Sequence, residues 1–452
     1  MPFVPSGTPR PALARWRCPA LVLALLCATA LHSPASARSG ADLVLLAGGD
    51  LRGEIKPCGC SPEGQMGGLP RRLTYLREQA AAGPVLTVDL GNNFPEPSPQ
   101  GRIKVDLIQT LLRRAGLAAI LPGPNEIALG LSFLDPELPY VVSNGQAPAP
   151  LAFRRVAQRN GRRIGLLGYL SPALVYQGPQ TRLNLLPASP ALVERWRAEA
   201  RADGWDAMLL LFRGDERELA VFAQSGAFRV IVSGNPSADE LHQIVERRAG
   251  GATIPQVPTK GQGLLRWTLP MDGKPPAPPA VDWLTDKLAD HPAATAALEA
   301  YDARVKALFF EQAALAESQR QESPFVGAEA CQGCHPAAAA AWRQARHSHA
   351  LGTLERVGKA FDPECLACHV AGLGRGGFSS AEATPQLGGV QCENCHGPGR
   401  AHAAAPTAQR LTAPAGAGPT GRPTENTCRS CHMGSHSPKF AFADYWPRIQ
   451  HR

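Results

Sequence analysis

Four copies of one short pattern lie near the C-terminal end of the chain. Each copy has two cysteines separated by two residues, with a histidine directly after the second cysteine. The copies are CQGCH (331–335), CLACH (365–369), CENCH (392–396) and CRSCH (428–432). Cysteine pairs with this spacing bind zinc, exchange disulfides or, when a histidine follows, attach a c-type haem.

The histidine after every pair distinguishes these alternatives, because zinc sites set no rule for that position. The chain has 12 histidines in 452 residues. Chance would place all four with a frequency on the order of 10⁻⁶. In haem attachment the cysteines bind the two porphyrin vinyl groups and the histidine is the proximal iron ligand. The pattern predicts four haem c groups, attached at Cys331, Cys334, His335, Cys365, Cys368, His369, Cys392, Cys395, His396, Cys428, Cys431 and His432.

The first residues have the composition of an export signal. Three arginines between positions 10 and 17 precede the apolar run PALVLALLCATAL, and Ala35-Ser36-Ala37 is a small-residue cleavage site. The run is shorter than the roughly 20 apolar residues that a spanning helix needs. We therefore expect cleavage near Ala37, no membrane-spanning segment in the mature chain and, in a bacterium, a periplasmic protein.

The sequence around the motifs resembles the tetrahaem cytochrome c-554 family, whose members accept electrons from hydroxylamine oxidation. The matching stretches are FVGAEACQGCH, AAWRQARHSHA, PECLACHVAGLG, GVQCENCHGPGRAH and FADYWPRIQH. The resemblance implies second axial ligands at His347, His402 and His451. It leaves the haem on His369 without a second ligand, unless His349 or His436 supplies one.

The segment 41–274 has a different pattern, in which apolar strand-like runs alternate with amphipathic helices. The strand-like runs are DLVLLAGG, VLTVDLG, YVVSN, RIGLLGYL, AMLLLF and RVIVSG. The helical runs are GLPRRLTYLREQ, VDLIQTLLRRAG, ALVERWRAEARAD and ERELAVFAQ. Asn160-Gly161 predicts a hairpin turn. PPAPPA predicts the end of this domain, and 281–322 predicts helices that contact both domains.

The order of landmarks in this segment resembles the 5'-nucleotidase branch of the metallophosphatases. LAGGDLRG, GGLPRRLTYL, VLTVDLGNN, GPNEIALG, IGLLGYL and VSGNPS follow one another as in that family. Such enzymes hold two metal ions with Asp, His and Asn side chains to clamp a phosphate and a water. The resemblance implies an αββα sandwich.

Most metal ligands that this resemblance would require are replaced. Asp50 is present, but Arg52 stands in place of a histidine and Asn92 in place of the bridging aspartate. The other replaced positions are Pro124, Asn125, Phe212, Arg213, Asn235 and Ser237. Because a cationic Arg52 would repel a metal pair, we expect a catalytically degenerate domain rather than a phosphohydrolase.

Cys58 and Cys60 are the cysteines of the predicted mature chain that lie outside the haem motifs. They stand in a Gly- and Pro-rich loop after the first predicted strand. Such a pair can form a strained disulfide, bind a soft metal or react with a sulfur or nitrogen substrate. The alternative is an unreactive loop pair, so both residues are a secondary site candidate.

The formal net charge of +8 gives no support for a nucleic-acid partner. Part of it belongs to the predicted leader, and each ferric haem with two ionised propionates adds about −1. The sequence also has no basic stripe interleaved with aromatic residues, as a nucleic-acid-binding surface would have.

The sequence therefore predicts a multidomain protein. Its parts are a signal peptide (1–37), a metallophosphatase-like α/β domain (41–274), a Pro-rich linker with helices (275–324) and a mainly α, loop-rich tetrahaem cytochrome c domain (325–452). We expect an electron carrier that exchanges electrons with redox partner proteins, with the α/β domain used for docking. The alternative is a multihaem redox enzyme that acts on a small nitrogen or sulfur compound at a five-coordinate haem.

The motifs predict four covalent haems per chain in a pyridine haemochrome assay. Changing Cys392 or Cys395 to Ser should remove one haem and destabilise the whole module, because the haems contribute to its core. Two or fewer haems, or bound zinc, would contradict this prediction.

Overall fold

The chain is represented by a computed structural model, which describes most residues from 42 to 451. The described ranges are 42–57, 65–146, 148–175, 183–234, 246–270, 276–319, 321–405, 423–433, 436–437 and 439–451. The predicted leader and four residues that the sequence singled out, Cys58, Cys60, Asn235 and Ser237, lie outside the described residues.

Strands and helices are numbered in chain order. The strands are β1 (Leu43–Gly48), β2 (Val85–Asp89), β3 (Ala119–Ile120), β4 (Gly145–Gln146), β5 (Arg155–Arg159), β6 (Arg162–Leu170), β7 (Asn184–Leu185), β8 (Ala207–Arg213), β9 (Val230–Ser233), β10 (Glu246–Ala249), β11 (Ala252–Pro255), β12 (Gly263–Leu269) and β13 (Ala280–Trp283). The helices are α1 (Leu69–Ala82), α2 (Pro99–Leu112), α3 (Pro124–Leu129), α4 (Pro190–Ala202), α5 (Glu216–Gln224), α6 (Pro292–Ser318), α7 (Pro336–Gln344), α8 (Ala350–Arg356), α9 (Pro363–His369), α10 (Cys392–His396), α11 (Arg400–Ala404), α12 (Glu425–Arg429) and α13 (Phe442–Tyr445).

Two sheets form the centre of the α/β domain. The first has the order β13-β12-β1-β2-β3, and the second has the order β10-β11-β9-β8-β6-β5. Neighbouring strands run parallel from β1 to β3 in the first sheet and from β6 through β8 to β9 in the second. The carboxyl ends of β1 and β2 therefore lie side by side, and the loops after them meet at one edge of the sheet.

Alternation along β8 shows how the second sheet is covered on both faces. Leu209 and Leu211 belong to the buried cluster that also contains the residues of β1 and β2. Leu210 and Phe212 belong to a second cluster with the apolar faces of α4 and α5. Since successive side chains of a strand point to opposite faces, the second sheet lies between the first sheet and these helices. Together with α1, α2 and α6 in the first cluster, this gives the predicted αββα sandwich.

The hairpin between β5 and β6 is confirmed. Arg159 pairs with Arg162 across a two-residue turn. Asn160 and Gly161 have φ angles of 50° and 70°, as a type I′ turn requires.

Three predicted element bounds are wrong. YVVSN forms isolated bridges at Tyr140 and Val141 but no named strand. Helix α2 begins six residues before the predicted run, where Ser98 accepts a hydrogen bond from the backbone N–H of Gly101 at 2.8 Å. In the segment predicted to be helical, β13 pairs with β12 and α6 begins only at Pro292. The first sheet therefore continues beyond the Pro-rich stretch. The sequence did not predict β13, because a four-residue edge strand is too short to show a periodic pattern.

The C-terminal region consists of short helices and loops, as predicted, and the described residues after β13 contain no named strand. From the sequence, we expect the haems to contribute to the core of this region. Around the second motif there is also a cluster of buried side chains, which includes Phe309 of α6. Its members are Phe309, Phe325, Leu351, Leu354, Leu366, Val370, Ala371, Phe378 and Leu387.

Within the described ranges, no helix combines the length and apolar character needed to cross a bilayer.

Candidate functional site

Each cysteine motif is folded into a helical turn. The second and third motifs lie in α9 and α10. In the first and fourth, the backbone N–H of the motif histidine donates to the carbonyl of the first cysteine, at 2.9 Å from His335 to Cys331 and 2.9 Å from His432 to Cys428. Residues three and four positions apart lie on one helix face. The turn therefore places both sulfurs and the imidazole of a motif on the same side.

Three motif histidines each face a second histidine from a distant part of the chain. The ring centroids are 6.3 Å apart for His335 and His402, 6.2 Å for His432 and His347, and 6.0 Å for His396 and His451. The three histidines that the sequence named as second axial ligands are thus each placed opposite a motif histidine.

These separations fit an iron atom between the two rings. A metal–nitrogen bond of about 2 Å on each side, and roughly 1.2 Å from nitrogen to ring centre, predict about 6.4 Å between centroids. Directly stacked rings would be closer, and rings without a common partner would have no reason to share one spacing. The residues therefore fit a haem with two axial imidazoles at each of the three places.

The remaining ring nitrogens support the same interpretation. His369 Nδ1 lies 2.7 Å from the carbonyl oxygen of Ala350, and His451 Nδ1 lies 3.0 Å from that of Ile449. A carbonyl only accepts, so Nδ1 carries the proton and Nε2 is available as a ligand. Burial lowers the pKa of His347 and of His432, which favours the neutral imidazole that binds a metal.

The second motif differs from the others. Among the described residues, no second histidine ring pairs with that of His369. His349 is exposed and His436 is half-buried, and a second ligand for this haem from either of them stays a prediction. His369 Nδ1 is held by the carbonyl oxygen of Ala350, which leaves Nε2 available as a ligand.

Contacts between cysteines show which motifs are neighbours. The side chain of Cys392 in the third motif raises the pKa of the Cys331 thiol in the first, and that of Cys431 in the fourth raises the pKa of the Cys368 thiol in the second. Burial raises the pKa of the Cys395 thiol to about 11, and Cys428 and Cys431 add to this shift. The third motif is therefore also beside the fourth, and the spatial order of the motifs is first, third, fourth, second.

A second candidate site lies at the carboxyl ends of β1 and β2, where the metallophosphatase resemblance expects metal ligands. Asp50 is fully buried and accepts hydrogen bonds from Arg52 Nη2 at 2.8 Å and Asn92 Nδ2 at 2.9 Å. Arg213 Nη1 lies 3.7 Å from Asp50 Oδ1, the oxygen that also accepts from Asn92. Burial lowers the pKa of Arg213, while the carboxylates of Asp50 and Glu126 oppose this shift.

The loop backbone at this edge is fixed in an uncommon conformation. Asp50, Arg52 and Asn92 have φ angles of 54°, 49° and 57°, in the left-handed region that residues other than glycine seldom adopt. Glu126 holds the loop after β2, because its carboxylate accepts from the backbone N–H groups of Asn92 at 2.8 Å and Asn93 at 2.6 Å. Burial raises the pKa of Glu126.

The other replaced positions lie partly at this edge. The backbone N–H of Asn125 donates to Asn92 Oδ1 at 3.2 Å, so Asn125 is beside the loop. Phe212 belongs to the buried cluster against α4 and α5 and does not reach the loop at the strand ends. Over the described ranges, no three His, Cys, Asp or Glu side chains are grouped as a metal site. The arrangement is a buried ion-pair cluster in which guanidinium groups occupy the surroundings of Asp50.

Sequence reasoning missed Glu126, although it follows the replaced Pro124-Asn125 pair directly. It also missed Gln100 and Lys104 of α2, which are buried and contact the C-terminal region. The sequence feature that could have indicated them is a polar side chain on a helix that packs into the core.

Comparison with known proteins gives two matches for the C-terminal region. Residues 330–397 match the family described as "Cytochrome c554 and c-prime". The cytochrome c-554 of Nitrosomonas europaea is 38% identical over 100 residues, which is 19% of this chain and 43% of that protein. The chain thus spans less than half the length of this curated relative. The matches support a multihaem c-type cytochrome. The first three motifs lie inside the matched family segment and the fourth lies outside it.

The chain is also similar to several solved structures. They include a 5'-nucleotidase precursor of Thermus thermophilus (21% identity, 59% of each chain, TM-score 0.49) and the sulfate thiohydrolase SoxB of the same organism (16% identity, 66% of this chain and 68% of that one, TM-score 0.47). The calcineurin-like phosphoesterase YfkN of Bacillus subtilis is 15% identical over 58% of this chain and 97% of that one, with a TM-score of 0.44.

The histidine pairs predict the spin state of individual haems. In a His451→Ala variant, the haem on His396 should lose its second imidazole and change from low spin to high spin. Ferric EPR should then show one low-spin signal fewer and a larger high-spin signal. His349→Ala is the matched control, because this exposed ring forms no such pair among the described residues, and its spectrum should equal that of the unchanged protein. An unaltered spectrum in His451→Ala would contradict the assignment.

Proposed function

We propose that the chain is an exported c-type cytochrome that transfers electrons through four covalently bound haems. The observation that carries this proposal is the set of three imidazole pairs, each joining a motif histidine to a histidine elsewhere. When bound, the haems supply one-electron transfer, and an iron with only one protein ligand can also bind a small molecule. The chain's residues hold the irons and set their order.

The spatial order of the motifs supports transfer along a single row. Each motif has a neighbour through its cysteines, from the first motif to the third, the fourth and the second. At one end of the row, residues 332–337, within and directly after the first motif, are exposed. A redox partner protein can approach there, whereas the second motif at the other end is covered by the α/β domain and its own buried cluster.

A second function is favoured by the single-sided His369. The alternative is a redox enzyme that acts on a small nitrogen or sulfur compound at the haem of the second motif. His369 is fixed by Ala350 through Nδ1, as the ligand of an electron-transfer haem would be, but lacks an opposing ring among the described residues. This difference from the other three motifs would leave one haem open to a small molecule.

The α/β domain, in this proposal, does not hydrolyse phosphate esters and instead contributes to docking. Asp50 is held by Arg52 and Asn92, with Arg213 beside it, so its carboxylate cannot bind a metal without losing these partners. Two guanidinium groups within the same site would also repel a pair of divalent cations. We place the protein in the periplasm, since c-type haems are attached outside the cytoplasm.

Nitric oxide binding should separate carrier from enzyme. After reduction, one haem per chain should bind nitric oxide, and ferric EPR before reduction should show a minority high-spin signal beside the low-spin signals. The physical reason is that three irons have two imidazoles and are closed, while the iron on His369 has one. If every haem is low-spin and none binds nitric oxide, the protein is a carrier only.

A phosphatase assay should test the degenerate site. Purified protein supplied with manganese or zinc and nucleotide substrates should release no phosphate in a metal-dependent way. Phosphate release that Asp50→Ala abolishes, and that the control Asp106→Ala leaves unchanged, would contradict the proposal. Asp106 is a suitable control because it forms an exposed ion pair with Arg304 away from the strand ends.

A further inference from the structure

The α/β domain contacts the helix that carries the second cysteine motif. This helix, α9, contains Cys365, Cys368 and His369, and its N-cap is Asp362. The contacts come from α2 and α6, which pack against each other on the first sheet. Helix α9 is therefore contacted by residues of the α/β domain as well as by residues of the C-terminal region.

One buried amide connects both helices to α9. Gln100 of α2 donates through Nε2 to the hydroxyl of Tyr301 of α6 at 2.9 Å and to Asp362 Oδ1 at 2.8 Å. Asp362 Oδ1 also accepts from the backbone N–H of Glu364 at 3.1 Å, which caps α9. All three residues that meet at the amide are buried, so the start of α9 cannot move without breaking hydrogen bonds that water does not replace.

A charged contact lies beside the amide. Lys104 Nζ of α2 is 2.6 Å and 2.5 Å from the two carboxylate oxygens of Glu364. The lysine side chain is 6% exposed and the glutamate side chain is 51% exposed. The positive charge is thus held on the inner side of the pair, next to the residue that precedes Cys365.

Two further lysines approach the same helix. Lys359 is ion-paired with Asp302 of α6, and Lys56 Nζ lies 3.9 Å from the same carboxylate. Burial raises the pKa of the Cys365 thiol to about 12, with Asp362 and Glu364 adding to the shift and Lys359 and Lys56 opposing it. Charges from both domains therefore act at the cysteine that attaches the haem of the second motif.

We propose that the α/β domain positions and electrostatically tunes the haem of the second motif, with Gln100 and Lys104 as its positioning residues. This inference rests on the proposed function, since it concerns the haem with one histidine ligand. Gln100 fixes the start of α9, and the Lys104–Glu364 pair sets the local charge. The role of the domain is then directed at the open haem rather than at a phosphate ester.

The sign of the effect follows from electrostatics. Reduction removes one positive charge from the iron, so a nearby positive charge favours the reduced form and a nearby negative charge the oxidised form. Lys104→Met leaves Glu364 unpaired and should lower the reduction potential of this haem. Glu364→Gln leaves Lys104 unpaired and should raise it. Because Glu364 is half exposed, solvent limits each effect, and we expect a several-fold change in the reduction equilibrium, less than tenfold or about 59 mV for one electron.

Redox titration of the holoprotein, followed by EPR, tests the proposal. The high-spin haem should shift in opposite directions in Lys104→Met and Glu364→Gln, and the double variant Lys104→Glu with Glu364→Lys should return near the original potential. A purely structural loosening of α9 would shift both single variants in the same direction. Glu364→Gln changes a half-exposed side chain, so it keeps the test decisive if Lys104→Met does not fold.

The matched control is Arg113→Met, which removes one positive charge at the other end of α2, where Arg113 pairs with Asp135. This variant should leave all potentials unchanged. Equal shifts of all haems, shifts in one direction, or no shift in a protein that retains its high-spin signal would overturn the inference. If all haems are instead low-spin, the open site is lost. Opposite shifts of a single potential would then still support the tuning contact.

Discussion

In the proposed arrangement, the C-terminal region depends on one constraint, the spacing of two imidazoles on opposite sides of an iron. The three histidine pairs share centroid distances between 6.0 and 6.3 Å, although their members come from distant segments. Side-chain packing does not explain this order, because α11, α12 and α13 contain no buried residues and α10 contains only Glu393. Around these motifs the proposed pairing of axial ligands, rather than an apolar core, would determine where the chain runs.

Burial of charge imposes the corresponding constraint on the α/β domain. Four charged residues are buried at or near the ends of β1, β2 and β8, namely Asp50, Arg72, Asp89 and Arg213. Buried charges are tolerated when they are paired, and Arg72 Nη2 is 2.6 Å from Asp89 Oδ2. Removing one partner of such a pair typically costs about 3–5 kcal/mol. The strand ends are therefore a rigid ionic network, which explains how left-handed backbone at Asp50 persists.

The sequence predicted best where one local pattern suffices. Buried apolar runs correctly predicted β1, β2, β6, β8 and β9, and Asn160-Gly161 correctly predicted the hairpin. These patterns depend only on residues that are neighbours in the sequence. The ring partner of His335 could not be predicted in this way, because no local pattern near His335 or His402 connects the two residues. The family resemblance implied His402 as a second axial ligand but did not say which motif histidine it faces. The start of α2 was missed although Ser98-Pro99 is a recognisable N-terminal signal. Lys104 was missed because a lysine on a helix normally faces solvent.

The second motif combines features that the other motifs have separately or not at all. It has its own buried side-chain cluster, a histidine fixed by Ala350, and direct contacts with α2 and α6. A haem with two imidazoles is held on both sides by its ligands, whereas one with a single imidazole depends on the surrounding protein for its position. In the proposed arrangement, the haem with the fewest axial ligands thus lies where the C-terminal region has the most side-chain packing. Since α2 and α6 are engaged by the chain's own second motif, a redox partner that docks on the α/β domain must use a different face.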